Sequence, residues 1–198
     1  KPLHLMYYLF AILKGQTKTM RFESPTTTQE AAALLAGESG SAHVLAGGTD
    51  LLVRMKAGMT EPDLVVDIKR IPSMQGIETS DSGCRIGAAV SGAEMNESDA
   101  LKSLWPGVVE ATNLIGSDQI QGRATMAGNL CNGSPAADSV PAMIAASAEV
   151  QIVGPAGSRT APVQDIVTGP GQLSLAKGEV IEAITLPARG AGGGDAYL

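Results

Sequence analysis

Two short stretches, Leu45-Ala46-Gly47-Gly48-Thr49-Asp50-Leu51 and Thr125-Met126-Ala127-Gly128-Asn129-Leu130, most constrain what this chain can become. Each sits beside apolar sequence and then exposes small residues and backbone. A strand that ends in Gly47-Gly48 can turn sharply and let a ligand approach the peptide groups. Successive N–H groups in such a turn form an anion nest, and a helix starting at Leu51 would add its own free N–H groups. Thr49 supplies a hydroxyl, and Asp50 either caps that helix or bonds a ligand hydroxyl. A diphosphate can be held this way without Lys or Arg. The competing reading is a plain strand-to-helix turn, with glycine for positive φ and Asp50 as N-cap. The loop is neither a Walker A nor a G-x-G-x-x-G sequence, so those nucleotide motifs are unsupported.

The second stretch belongs to a longer polar, small-residue segment. Gly116-Ser117-Asp118-Gln119-Ile120 precedes it and Cys131-Asn132-Gly133-Ser134-Pro135-Ala136-Ala137-Asp138 follows. Small residues thin the wall where a ligand passes, and short hydroxyl and amide groups can meet ribose and phosphate oxygens. Asp138 reads equally as an N-cap of a helix over Val140–Ser147, and Asn132-Gly133 as a tight turn. Two such loops could close together on one extended anionic ligand.

Composition narrows the classes. A length of 198 residues suits one domain of two lobes. Apolar residues make up 44 % of the chain and aromatics 3 %, which favours close backbone packing over large aromatic anchors. A net charge of −6 argues against nucleic acid and anionic membrane surfaces. Cys84 and Cys131 lack metal-motif spacing and are read as reduced, cytoplasmic thiols. The apolar run over residues 3–13 is too short to span a bilayer as a helix, and no small-residue cleavage site follows it. Residues 1–19 are therefore expected to be an N-terminal extension or artefact, or a short covering helix. Asn96-Glu97-Ser98 and Asn132-Gly133-Ser134 have the form of sequons but carry no weight without a secretory signal.

Local signals outline two lobes, 20–72 and 73–187. Thr27 with Glu30 forms a capping box opening a helix that Gly37 ends. His43–Ala46 and Asp63–Ile68 read as strands around a helix over Leu51–Ala57, which suggests parallel pairing. Beyond Ile71-Pro72, residues 76–79 and 84–88 flank a turn at Ser80–Gly83. Helices are expected over Gly92–Leu101 and Trp105–Asn113, with Pro106 tolerated in the first turn. A second hairpin (Glu149–Val153, Ser158–Pro162) and a last strand, Val180–Leu186, complete an α+β lobe with antiparallel strands. Residues 188–198 are Gly-rich and read as a flexible linker.

Together these segments resemble the FAD-binding, or medium, subunit family of molybdenum hydroxylases: the medium chain of carbon monoxide dehydrogenase and the flavin domain of xanthine dehydrogenase. Val44–Leu51 matches the family's V-L-A-G-G-T-D-L throughout. Thr125, Gly128, Asn129, Ser134, Pro135 and Asp138 match its T-x-G-G-N followed by S-P-x-x-D. The resemblance covers roughly Met20 to Pro187. It implies a PCMH-type, vanillyl-alcohol-oxidase-like FAD-binding fold in which two α+β lobes clasp the cofactor. By that analogy the backbone of Val44, Leu45, Ala46, Gly47, Gly48, Thr49, Asp50 and Leu51 holds the pyrophosphate. Ile115, Thr125, Ala127, Gly128, Asn129, Asn132 and Asp138 line the rest of the FAD, and Ile181 supplies an apolar flavin contact. His4 and His43 lie outside the context expected for covalent attachment, so the FAD is expected to be noncovalent.

The chain departs from the family at three places. Ala127 stands where the family has Gly, Gln121-Gly122 where it often has Arg-Asn, and the chain stops at Leu198, where a further C-terminal domain should begin, so it is expected to be a fragment, a truncated gene product or an incomplete piece. The resemblance implies an electron relay, from a molybdenum site through iron–sulfur clusters to FAD and on to NAD or another acceptor. Those metal centres would sit in partners, a molybdopterin-binding large subunit and a two-iron two-sulfur small subunit, because this chain has no cysteine cluster for them. No catalytic or metal-ligating residue is assigned. A FAD- or nucleotide-binding scaffold without turnover, and a sugar-nucleotide or other diphosphate enzyme, are the alternatives.

Overall fold

The computed structural model of the protein describes residues 19–190 and 192–197. The apolar run of the expected N-terminal extension lies outside the described residues.

The first sheet is parallel, as the alternation of strand and helix predicts. It contains β1 (Arg21–Glu23), β2 (Ala42–Leu45) and β3 (Leu64–Asp67), in the order β1-β3-β2. Helix α1 (Thr28–Gly37) links β1 to β2, and α2 (Leu51–Lys56) lies between β2 and β3. Thr27 Oγ1 accepts from Glu30 N at 3.2 Å, the cap the sequence predicts. Leu64, Val65 and Val66 of the central β3 are all buried, as expected of a parallel strand covered on both faces.

The second sheet is antiparallel. Strands β4 (Ile77–Ser80), β5 (Gly83–Gly87), β6 (Glu149–Gly154), β7 (Gly157–Pro162) and β10 (Val180–Pro187) run in the order β4-β5-β10-β6-β7. Both hairpins form at the expected turns. A separate pair, β8 (Val167–Gly169) with β9 (Gln172–Leu173), precedes β10. The last strand in sequence is the centre of the sheet, because both hairpins need a partner on their inner edge and β10 is flanked by β5 and β6.

Helices α3 (Gly92–Glu97), α4 (Asp99–Leu104), α5 (Pro106–Thr112), α6 (Asp118–Gln121), α7 (Met126–Cys131) and α8 (Ser139–Ala145) cover this sheet. The single helix expected over Gly92–Leu101 is in fact two. Ser98 leaves helical geometry (φ −82°, ψ 99°) and its side chain accepts from Leu101 N, so a serine that competes for backbone donors starts a new helix. One apolar cluster joins the two sheets, from Leu64 and Ile68 to Ile86, Met126, Leu130 and Ile152. Met74, Met95, Met126 and Met143 are fully buried. In a chain poor in aromatics, methionine fills the irregular gaps.

Glu182 of β10 ties α1 to the second sheet. Its Oε1 accepts from Thr28 Oγ1 of α1 (2.5 Å) and from Ser73 Oγ (2.9 Å), and its other oxygen lies 3.8 Å from Arg85 Nη2. The glycine-rich tail, expected as a flexible linker, instead packs on α5. Asp195 accepts from Gly107 N at 2.7 Å and pairs with Arg189, whose guanidinium lies over Trp105. A charged residue and an aromatic outside the glycine run supply the contacts that composition alone hides. Among the described residues no helix is long and apolar enough to cross a membrane, and no cluster of His, Cys, Asp and Glu could hold a metal ion.

Candidate cofactor-binding site

β2 delivers the first loop to the junction of the two sheets. Gly48 has φ +81°, the left-handed conformation that glycine adopts without strain. Gly47 lies against the backbone of Arg123 and Ala124, and a β-carbon there would overlap the Arg123 carbonyl oxygen. The loop is held from two sides. Lys69 Nζ, paired with Asp67 at 2.6 Å, donates to Ala46 O at 3.1 Å, and Arg123 Nε donates to Gly47 O at 3.3 Å. With its carbonyls occupied, the loop's donors are left over: the N–H groups of Gly47, Gly48, Thr49 and Asp50 make no bond in the backbone network among the described residues. Gly47 is buried, Gly48 and Thr49 are half-buried and Asp50 is exposed, so the donors are open to an acceptor that enters the loop, and the buried one at Gly47 is costly to leave unpaired.

The second loop folds back on itself. Thr125, 3 % exposed, caps α7 by accepting from Gly128 N at 2.9 Å. Asn129 Oδ1 accepts from both Ser139 N (3.1 Å) and Ser139 Oγ (2.7 Å) and so caps α8. Asp138 occupies the N-cap position of α8 but makes no capping bond. Asp50, at the same position of α2, makes none either, and its Oδ1 accepts from Asn132 Nδ2 at 3.4 Å. The two loops thus meet at Gly47–Arg123 and at Asp50–Asn132.

Between them lies a cavity of about 530 Å³, within the range of about 300–1,000 Å³ typical of small-molecule sites. Of the residues singled out from sequence, Val44, Ala46, Gly47, Gly48, Thr49, Asp50, Leu51, Ile115, Thr125, Ala127, Gly128, Asn129, Asn132 and Ile181 line it. Leu45 and Asp138 do not: Leu45 is buried in the core, 6 % exposed, where the pleat turns its side chain away from the wall formed by Val44 and Ala46.

Sequence reasoning missed other parts of the wall. The segment from Leu173 to Val180, joining β9 to β10, forms one side. It has no glycine-rich or periodic signature, and only Gly178, buried with φ +86° beside Ala36, hints at a constrained path. His43 and Arg54 also line the cavity. His43 Nε2 is within hydrogen-bond distance of Ser41 Oγ (3.2 Å) and Thr60 Oγ1 (3.3 Å). Burial, and then the nearby Arg54 charge, hold its imidazole below the ordinary histidine range, so the ring is neutral at pH 7. Cys131, also on the wall, is pushed up to about 12 by burial and stays a thiol.

A cavity lined by unbonded peptide donors suits a dinucleotide, and the sequence as a whole agrees. Residues 18–189 match the family model described as the FAD binding domain in molybdopterin dehydrogenase. The chain belongs to that family. It is 35 % identical over 179 residues to the carbon monoxide dehydrogenase medium chain of Hydrogenophaga pseudoflava, covering 89 % of this chain and 62 % of the relative. It is 32 % identical over 167 residues to the xanthine dehydrogenase FAD-binding subunit of Escherichia coli O157:H7, covering 84 % and 57 %. The fold superposes on carbon monoxide dehydrogenase from Hydrogenophaga pseudoflava lacking the Mo-pyranopterin moiety of its molybdenum cofactor, with a TM-score of 0.84 at 34 % identity over 87 % of this chain and 60 % of that one. The chain thus spans about three fifths of the length of these relatives.

The family's cofactor is FAD, and the residues of this FAD-binding domain fit it. The unbonded N–H groups at 47–50 and the apolar wall at Ala127 and Ile181 provide the donors and surfaces that a flavin dinucleotide requires. The family departures are absorbed. Ala127 lies inside α7 and is not among the residues with positive φ, so its methyl needs no left-handed backbone. Gln121 and Gly122 are not on the cavity wall; Gln121 Nε2 instead donates to Asn113 O at 2.6 Å.

Proposed function

We propose that this chain is the FAD-binding part of a flavoprotein subunit in a molybdenum hydroxylase complex, an oxidoreductase in which it passes electrons from iron–sulfur clusters through FAD to NAD or another acceptor. The observation that carries the reading is the row of unbonded peptide N–H groups at residues 47–50, on the wall of a cavity completed by residues 125–132. Bound FAD supplies the redox chemistry. The protein's part is to hold and position it. The N–H groups of Gly47 to Asp50 meet the pyrophosphate, Asp50 accepts from a cofactor hydroxyl, and Ile115, Ala127 and Ile181 exclude water from the ring system.

The named relatives support the partners: a molybdopterin-binding large subunit and a two-iron two-sulfur small subunit. With two cysteines, Cys84 and Cys131, this stretch of chain supplies fewer than the four thiolates an iron–sulfur cluster takes, which supports placing the clusters in a partner, and their free thiols agree with a cytoplasmic setting. Within the chain we assign residues 20–72 and 73–187 to the two cofactor-binding lobes and 188–198 to the connection onward.

The test is in two steps. Protein purified from cells should be yellow, or become so with added FAD, and should release its flavin on denaturation; colourless protein that refuses FAD overturns the reading. In the assembled complex under anaerobic conditions, substrate of the large subunit should bleach the flavin, and an acceptor such as NAD should restore it. A flavin that stays oxidised overturns the relay.

A further inference from the structure

We propose that Arg54 and Lys177 form a cationic clamp that grips the diphosphate of the bound dinucleotide from the open side of the cavity; the clamp rests on the FAD reading above. The two side chains line the same cavity from separate elements, Arg54 on α2 and Lys177 on the β9–β10 connection. Both residues are exposed, and among the described residues neither makes an ion pair or a side-chain hydrogen bond. That sets them apart from Arg21, Lys69, Arg85, Lys102, Arg159 and Arg189, which are all paired with carboxylates.

The acids on the wall do not cancel them. Glu179 is engaged by Arg159 through two bonds of 2.7 and 2.8 Å and by Ala176 N at 2.8 Å. Asp50 stands one helical turn before Arg54 and faces Asn132 at 3.4 Å instead. An acidic protein, with a net charge of −6, thus leaves two uncompensated cations on the wall that also carries the unbonded N–H groups of residues 47–50. The Arg54 charge is felt inside that wall, since it helps hold the His43 imidazole neutral. Neutral peptide donors orient a diphosphate, whereas mobile cations neutralise it. Because both cations reach the cavity from solvent, their attraction is screened by salt.

The experiment measures dissociation constants of FAD, ADP and riboflavin for the wild type, Arg54→Gln, Lys177→Gln and the double variant, at low and high sodium chloride. FAD binding should weaken about tenfold in the double variant at low salt, and the difference should shrink to about twofold at 0.5 M. Riboflavin, which has no phosphate, should bind all variants alike. Wild type that binds FAD with the same affinity and salt dependence as the double variant overturns the clamp and leaves the FAD reading standing. Wild type that binds ADP through Arg54 and Lys177 but refuses FAD supports the clamp and overturns the flavin. Wild type that binds neither overturns both.

Discussion

Gly47 packs directly on the backbone of Arg123: a β-carbon at residue 47 would overlap the Arg123 carbonyl oxygen and lie 3.0 Å from the Ala124 Cα. Two loops far apart in sequence meet here without side chains between them, and the bond from Arg123 Nε to Gly47 O closes the junction. Gly47→Ala should therefore force backbone apart rather than displace a flexible side chain. The expected cost is about 1–3 kcal/mol, read as a lower Tm, with weaker FAD binding because the loops separate. An unchanged Tm would show that the loops do not pack this closely.

Gly48 tests the pyrophosphate assignment more directly. Its φ of +81° is unfavourable for a branched side chain, while the atoms nearest a new β-carbon belong to the Leu45 and Leu52 side chains, which can shift. Gly48→Val should lose about 1–2 kcal/mol from left-handed strain and bind FAD more weakly, because relief of that strain and of the contact with Leu45 and Leu52 displaces the N–H groups of residues 47–50. Gly48→Asn, which tolerates that conformation, should keep the fold. A folded valine variant with full FAD affinity would contradict the assignment.

Asn129 and Asp138 should separate under mutation. Asn129→Ala removes the cap of α8 and should cost about 1 kcal/mol, with a matching fall in Tm. Asp138→Ala removes no capping bond and should stay within about 0.5 kcal/mol of the wild type. A loss of FAD affinity in Asp138→Ala at unchanged Tm would assign its carboxylate to the cofactor; a fall in Tm instead would mean it caps the helix after all.

The thiols predict an alkaline limit. Burial pushes Cys84 up to about 11 and Cys131 up to about 12 in the folded protein, from an ordinary 9.0. Between those values the unfolded chain releases protons that the folded chain keeps. Stability is therefore fully present below pH 9 and falls as pH rises from 9 toward 11–12. Denaturant midpoints measured across this window should decrease, and a Cys84→Ala, Cys131→Ala double variant should flatten the decline. At pH 8 the native protein should leave buried Cys84 unreacted with a disulfide reagent, whereas the unfolded protein should react at both Cys84 and Cys131; fast modification of Cys84 in the native form would contradict its burial.

Much of the architecture is written locally. The cap at Thr27, the hydrophobic run at Leu64–Val66, the turn chemistry at Ser80–Gly83 and the alternation of strand and helix before residue 72 are short-range signals, and the elements they specify form. The two stretches that line the cavity were legible for the same reason, since glycine and small polar residues mark positions where backbones approach closely, as Gly47 does Arg123. The break at Ser98 was not. Its hydroxyl competes with the helix for a single donor, and a periodicity spanning both segments conceals that contest.

By itself, the sequence determined the order of most elements and the two stretches that line the cavity, because these depend on conformational preference and hydrophobic pattern within a few residues. Only the tertiary structure decided which side chains do which work there. Asn129, not Asp138, caps α8 because the chain folds Asn129 back over Ser139. The Leu173–Val180 segment becomes a wall because β10 is drawn between two hairpins. The glycine-rich tail is held because Asp195 reaches Gly107 N. Each of these turns on a contact between residues distant in the chain, where no local preference acts and only the packed backbone sets who is within reach.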